Sequence, residues 1–242
     1  LTQELAASAD WEKFDGRCKA WVRTDPPSRH VGMLYKAQQY KRLPVLLGVT
    51  RQPYFREEDG QIVTAPGYDA SAQRYGVFDP AQYVLPEPTP EAAQAALAKL
   101  RPLLCEFHFA QPHDEAAALS GMFTAVLRPS IELAPAFHAK AHSIGSGKTL
   151  LCEVIGAMAG PGGNRKLSYP KTSEEASKVI LSALLEGPAV VEFDDMDTDW
   201  LPHGVINRML TSTHLTERIL GSSKVATLST RTVFLGSGNN VG

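Results

Sequence analysis

The chain lacks the marks of a secreted, membrane-spanning or strongly basic protein. Its three cysteines, Cys18, Cys105 and Cys152, are widely separated and in no metal-ligand pattern, which argues against a disulfide framework and leaves reduced thiols as the simplest account. No apolar run approaches the ~20 residues that cross a bilayer, and a cytoplasmic protein is expected. A net charge of −2 gives no global basic signature, so any nucleic-acid contact must be argued from local placement. His138 and His142 stand four apart but flank a strand-to-loop junction, and His108 and His113 bracket a loop-like segment. Neither pair is read as a zinc site.

Against these absences, 242 residues of which 43% are hydrophobic can build one large or two small cores. The most informative stretch is AHSIGSGKTLL, Ala141 to Leu151. Gly145, Ser146 and Gly147 allow the backbone to curl so that successive N–H groups face an anion. The helix that follows presents its positive dipole end to the same charge. Gly145, Ser146, Gly147, Lys148, Thr149 and Leu150 are therefore expected to bind nucleotide phosphates, with Lys148 reaching the β and γ phosphates and the Thr149 hydroxyl on Mg2+. The strict phosphate-loop pattern has glycine where this chain has His142. The plain alternative is an ordinary strand-to-helix turn with a surface lysine, and the flanking context decides between the two.

That context has the right order. Pro135 to Ala141 reads as a strand, and a helix starts at Lys148 with Leu150, Leu151, Val154, Ile155 and Met158 on one face, stopped by Gly160, Pro161, Gly162 and Gly163. Ala189, Val190 and Val191 lead a buried strand that ends in Asp194 and Asp195, where a bound Mg2+ needs a carboxylate. Glu192, two residues back, points to the same face as Asp194. A third apolar strand, Thr232 to Leu235, runs into Gly238, Asn239 and Asn240. An amide there can orient water or sense the γ phosphate. The intervals from Lys148 to Asp194 and from Asp194 to Asn239 are nearly equal, each fitting one helix plus connections. The three signals together point to nucleotide hydrolysis.

The trio resembles the Walker A, Walker B and sensor-1 positions of the AAA+ class. More specifically, it is similar to the superfamily 3-like helicase domains of phage, plasmid and integrative-element replication proteins, often fused to primases. The resemblance covers roughly Pro129 to Gly242, and more vaguely Pro44 to Asp79. It implies an α/β P-loop NTPase (AAA+/ASCE-like) fold with a mostly parallel sheet flanked by helices, preceded by a small mixed α+β region. It further implies ATP and Mg2+ as cofactors, with Lys148, Asp194, Asp195 and Asn239 as catalytic residues. Thr149 and Asp194 would hold the metal, and Asp195 would stand where the family places its water-activating acid. In that family a hairpin ahead of the sensor strand grips DNA; the GSSK turn signal would put Lys224 at its tip, with Arg218 and Arg231 near its base. The implied function is an ATP-dependent helicase or translocase in replication of a mobile element. Its partners would be single-stranded or forked DNA and further copies of itself in a ring, a hexamer. The C-terminal part of the core, with the lid and the arginine supplied by a neighbouring subunit, is expected to lie outside this chain.

Three regions are expected. Residues 1–85 form a mixed N-terminal region, with Leu1 to Ala20 helical and Trp11 and Phe14 in its core. From Pro44 to Phe78 hairpins follow, among them one turning at Asp59-Gly60, whose Tyr54, Tyr68 and Tyr75 are core rings more readily than base-stacking ones. Residues 86–128 are a helical lead-in, with Thr89 and Pro90 opening one helix and Glu115 to about Leu127 forming a second. Residues 129–242 are the ATPase core, including a helix after Ser173 and a short one in HGVINRML. Two alternatives stay open: a nucleotide-gated initiator or assembly module without turnover, and a P-loop small-molecule kinase. Neither LSGGQ nor NKxD occurs, which removes the ABC-type and GTPase-type classes.

Overall fold

The computed structural model describes residues 2–36, 43–143, 145–219 and 225–239. Two compact units divide the chain, Leu1–Val45 and Leu46–Gly242, a division that falls inside the expected 1–85 region.

The first unit corrects one expectation. Helix α1 covers only Thr2–Ser8, and WEKFDGRCKAWVR then forms an antiparallel pair, β1 (Glu12–Asp15) and β2 (Ala20–Arg23), before α2 (Ser28–Lys36). The reason lies in the Asp15-Gly16 turn between two short alternating runs, a stronger local signal than the helical propensity upstream. Asp15 Oδ1 accepts from Arg17 N (2.8 Å) to close the turn. Phe14 is half exposed rather than core and packs edge-on against its cross-strand partner Trp21.

The second unit opens with short strands. β3 (Gly48–Thr50) runs parallel to β7 (Arg74–Gly76), and β6 (Gly67–Asp69) pairs antiparallel with β7. The expected Asp59-Gly60 hairpin joins β4 (Tyr54–Phe55) to β5 (Ile62–Val63). Tyr54 is buried, while Tyr68 and Tyr75 keep about the exposure of surface rings. These strands lie against the elements that follow: Phe55 N donates to Ser130 Oγ (3.0 Å), and Arg231 forms a two-pronged ion pair with Glu57 (2.6 and 3.2 Å).

Helix α3 (Pro90–Leu100) starts as expected, with Thr89 Oγ1 accepting from Ala92 N (3.1 Å) and Pro90 in the first turn. Helix α4 (Pro112–Leu127) begins three residues earlier than the apolar pattern indicates, because Asp114 accepts from Gln111 N (2.9 Å) and fixes the first turn.

A four-stranded, all-parallel sheet follows, in the order β8, β13, β10, β9. The strands are β8 (Phe137–Ala141), β9 (Arg165–Ser168), β10 (Val190–Met196) and β13 (Val233–Asn239), and helices α5 (Lys148–Ala157), α6 (Ser173–Glu186) and α7 (Gly204–Thr211) link them. Thr172 caps α6 by accepting from Glu175 N, and Gly187 ends it in the left-handed region (φ 63°). Strand alternation sorts the side chains into two cores. Val191, Phe193 and Phe234 meet Ile180, Leu184, Ile206 and Met209 of α6 and α7. On the opposite face Val190, Val233 and Leu235 meet Met122, Ala125 and Ile155 of α4 and α5. Full burial of each large side chain contributes about 1.5–3 kcal/mol, so helices on both faces are a requirement of a sheet apolar on both sides. The fold is thus α/β with a parallel sheet flanked by helices. β9 was not foreseen, because RKLS carries two charges on a strand at the sheet edge. Between α7 and β13, β11 (His214–Arg218) and β12 (Val225–Ser229) form the expected antiparallel hairpin.

Arg128, just past α4, ties these layers together. Its buried guanidinium donates to the carbonyls of Thr232 (3.1 Å), Thr230 (2.6 Å), Ile131 (2.7 Å) and Glu132 (3.3 Å). Burial pulls its pKa down to about 10. Replacing it by alanine strands two carbonyls ahead of β13 and two just past α4, and Arg128→Ala is expected to lower unfolding stability by roughly 3 kcal/mol. An unchanged denaturant midpoint would show that water substitutes for the clamp.

Candidate functional site

The glycine-rich turn leaves the C-terminal end of β8 and enters α5. Gly145 (φ 77°) and Gly147 (φ 83°) both occupy the left-handed region, where a side chain is strained. A β-carbon on Gly147 would in addition lie 3.2 Å from the Phe107 ring. The first turn of α5, whose N–H groups have no helical partner, therefore opens onto the curl of the loop. Lys148 folds back across it, its ammonium donating to Ser143 O (3.0 Å) and Ser146 Oγ (2.8 Å). His142, at the place of the missing leading glycine, is exposed.

Strand order brings the other residues to this point. β13 lies between β8 and β10, so the carboxyl ends of the three strands are adjacent although far apart in sequence. A cleft of about 370 Å³ is lined by Gly145 to Leu150, Asp194, Asp195, Ser237, Gly238 and Asn239. Every residue expected to bind nucleotide, metal or water thus lines one cavity.

Asp194 is the best-fixed side chain in it. Its Oδ1 accepts from Ser237 Oγ (2.7 Å), from Asp195 N (3.0 Å) and, at longer range, from Thr149 Oγ1 (3.4 Å). The register of β10 against β13 slips by one residue here, Phe193 facing Gly236 and Met196 facing Gly238. The extra residue is a bulge that puts Asp195 at φ 53° and exposes it. Phe193 and Met196 are thereby both kept in the α6/α7 core, while Asp194 and Asp195 are unpaired on the β13 side, Asp194 still facing Ser168 of β9. Asn239 is half buried, and among the described residues its buried Oδ1 has no hydrogen-bond partner.

Thr149 and Asp194 offer hard oxygen donors side by side. Among the described residues no group of three or more His, Cys, Asp or Glu is arranged to hold a metal. One carboxylate and one hydroxyl match the way Mg2+ is held when phosphates and water complete its shell, so the residues fit that ion. His138 and His142 do not pair: His138 is packed on Trp200, where burial, then Lys140, lowers its pKa, and His142 lies out in the loop.

Glu192 shares the face of Asp194, yet it lies below the cleft and is fully buried. Its Oε2 accepts from Asn164 Nδ2 (2.7 Å), which also donates to Cys152 O (3.0 Å). Burial pushes the Glu192 carboxyl up, against the Asn164 hydrogen bond that pulls it down. Ser237 and Asn164 are the two residues sequence reading missed. Ser237 was legible in principle, since Leu235, Ser237 and Asn239 alternate onto one face; Asn164 carries no local signal.

Of the residues expected to contact DNA, Lys224 lies outside the described residues. Arg218 is exposed at the last position of β11, opposite Val225, the first of β12; the register therefore puts it beside the segment that joins the two strands, not near the hairpin's base as expected. Arg231 is taken up elsewhere, by Glu57 and by Pro129 O (2.8 Å), and its hydrogen bond holds the Glu57 carboxyl below the usual range. A second cleft, of about 760 Å³, shares Ser146, Gly147 and Lys148 with the first and extends over Phe107, His108 and Phe109 beside β8. No protein-family model and no curated protein matches the chain.

A carboxyl raised on folding favours the folded state below its unfolded value, and that contribution is lost as pH rises through the folded value. Glu192→Gln is therefore expected to gain stability relative to the parent as pH rises above the ordinary carboxylate value of 4.5. Denaturant unfolding from about pH 4 to about pH 8 checks this. A stability difference that stays constant over the range would mean that folding does not raise the Glu192 carboxyl.

Proposed function

We propose that the cleft binds the triphosphate of ATP with Mg2+ and hydrolyses it, within a P-loop domain of the AAA+ kind that works on DNA as a replicative helicase or translocase. The observation that carries the reading is the convergence of Lys148, Thr149, Asp194 and Asn239 on one cavity at the carboxyl ends of neighbouring parallel strands. An ordinary turn with a surface lysine does not require a carboxylate and an amide from two other strands to meet it.

Phosphoryl transfer needs positioning and charge neutralisation more than covalent chemistry. The amides of the turn and of the first turn of α5 take the phosphate oxygens. Lys148 exchanges Ser143 O and Ser146 Oγ for the β and γ phosphates, a small movement because its ammonium already lies over the loop. Mg2+, when bound, neutralises phosphate charge; Thr149 and Asp194 are the residues that hold it. Asn239 lines the cleft at the end of β13, and its amide is the group suited to orient the attacking water. Asp195, exposed on the bulge, is the acid within reach of that water. The second cleft, with the Phe107 and Phe109 rings 6.2 Å apart, receives the base, since apolar rings beside a phosphate site suit a nucleobase.

The DNA part of the reading rests on the hairpin β11–β12 and on the resemblance of the chain to superfamily 3-like helicases. With Arg231 held by Glu57, Arg218 and Lys224 are the basic residues left for the phosphodiester backbone. The non-catalytic initiator differs only in lacking turnover.

ATP turnover with and without single-stranded DNA, beside Lys148→Ala, tests the reading. DNA is expected to stimulate the parent, and the variant to lose about 100-fold or more in turnover. Equal hydrolysis by both proteins would reject the catalytic assignment. Inorganic tripolyphosphate is expected to compete with ATP for the parent, and Phe107→Ala to weaken ATP about 10-fold while sparing tripolyphosphate. Equal loss of both ligands would place the base elsewhere. Arg218→Ala is expected to weaken DNA binding and to lower its salt slope by about 1, with basal turnover retained. An unaltered slope would remove Arg218 from the interface.

A further inference from the structure

Asp194 is gripped through one oxygen only. Ser237 Oγ, Asp195 N and Thr149 Oγ1 all donate to Oδ1, and among the described residues no hydrogen bond reaches Oδ2. The three donors are unequal. Thr149 stands at 3.4 Å, the outer limit of a hydrogen bond, and in the function proposed above its hydroxyl belongs to the metal. Asp195 N belongs to the bulge, in an exposed residue held at φ 53°. Ser237 is 1% exposed and makes the shortest bond, 2.7 Å, from the neighbouring strand.

We propose that Ser237 is the positioning residue for the metal-binding carboxylate, pinning Oδ1 of Asp194 so that Oδ2 is left as the oxygen that would serve Mg2+. The inference rests on the nucleotide and Mg2+ reading of the cleft.

The surroundings make this role specific. Ser237 faces the α4/α5 side of the sheet, two residues after the wholly buried Leu235 and beside Ala139 of β8. A buried hydroxyl there costs free energy unless it is hydrogen-bonded, and its hydrogen goes to Asp194. Alanine would fill the same space with no such cost, so packing alone does not explain serine. The strand cannot draw back either. Behind it, a β-carbon at Gly236 would lie 2.7 Å from Met196 Sδ, 3.2 Å from His138 and 3.4 Å from Trp200, which wedges β13 against the opposite core. Ser237 is thus a donor at a fixed height. An aspartate carboxylate otherwise rotates broadly about its terminal torsion, and on the side of β13 the bulge interrupts the pairing of Asp194. Loss of the serine frees that rotation without removing a ligand.

Residues that orient metal ligands contribute about 10–100-fold to metal affinity. The test is titration of Mn2+, read by electron paramagnetic resonance, into the chain saturated with the ATP analogue AMP-PNP, together with AMP-PNP affinity in EDTA. Ser237→Ala is expected to weaken Mn2+ about 10-fold and to leave the metal-free nucleotide affinity near that of the parent. Ser237→Cys, which keeps the shape with a weaker donor, is expected to fall between them and carries the same test if the alanine variant does not fold. Unchanged Mn2+ affinity in the variant that folds overturns the positioning role. So does a parallel loss of metal-free nucleotide affinity, which would mark a purely structural hydroxyl. Failure of the parent itself to bind AMP-PNP overturns the nucleotide reading instead, and this inference with it.

Discussion

Insertion of β13 between β8 and β10 is the constraint on which the site depends. Without it the glycine-rich turn and the acidic strand end would be separated by an open gap at the sheet. With it, Asp194 receives a hydroxyl from each side: Ser237 from β13 and Thr149 from the helix that follows β8. The insertion is non-local, since β13 is the last strand among the described residues and its neighbour β8 the first of the sheet, and two devices secure it. Arg128 gathers the carbonyls of Thr230 and Thr232 at its start. Gly236 lets Met196, His138 and Trp200 close against its back.

The bulge at the end of β10 resolves a conflict between packing and chemistry. Regular alternation beyond Phe193 would turn Asp195 toward the α6/α7 core and Met196 away from it. One extra residue keeps Phe193 and Met196 both buried there and releases the two carboxylates at the rim. The strain falls on Asp195, one of three non-glycine residues with positive φ among the described residues. Aspartate tolerates that region better than most side chains. Below the rim, the buried Glu192 pairs with the part-buried Asn164 beside Cys152, whose thiol burial pushes up to about 12.

Much of the architecture was legible because it follows from local rules. Thr89 and Pro90, Thr172, and Gly187 announce helix ends through the hydrogen bonds and backbone angles they permit. The apolar runs around Val190 and Val233 announce strands buried on both faces. Where the reading departed from the structure, a second local signal had been outweighed or was absent. In the first unit the Asp15-Gly16 turn prevailed over helical propensity, and β9 hid behind Arg165 and Lys166, whose charges are satisfied at the sheet edge by Glu186 and Glu153.

By itself the sequence determined the chemical parts: a turn that only glycines allow, an ammonium and a hydroxyl at the start of a helix, carboxylates after an apolar strand, and an amide after another. Each is a short-range property of neighbouring residues. Tertiary structure decided how these parts relate. It chose Ser237 as the donor to Asp194, brought Asn239 to the same cleft, sank Glu192 out of reach, and diverted Arg231 to Glu57 across a long span of chain. The physical reason is that strand order and register are set by packing over the whole sheet. A side chain's partner two strands away is therefore fixed by the pairing of backbones, which no local pattern encodes.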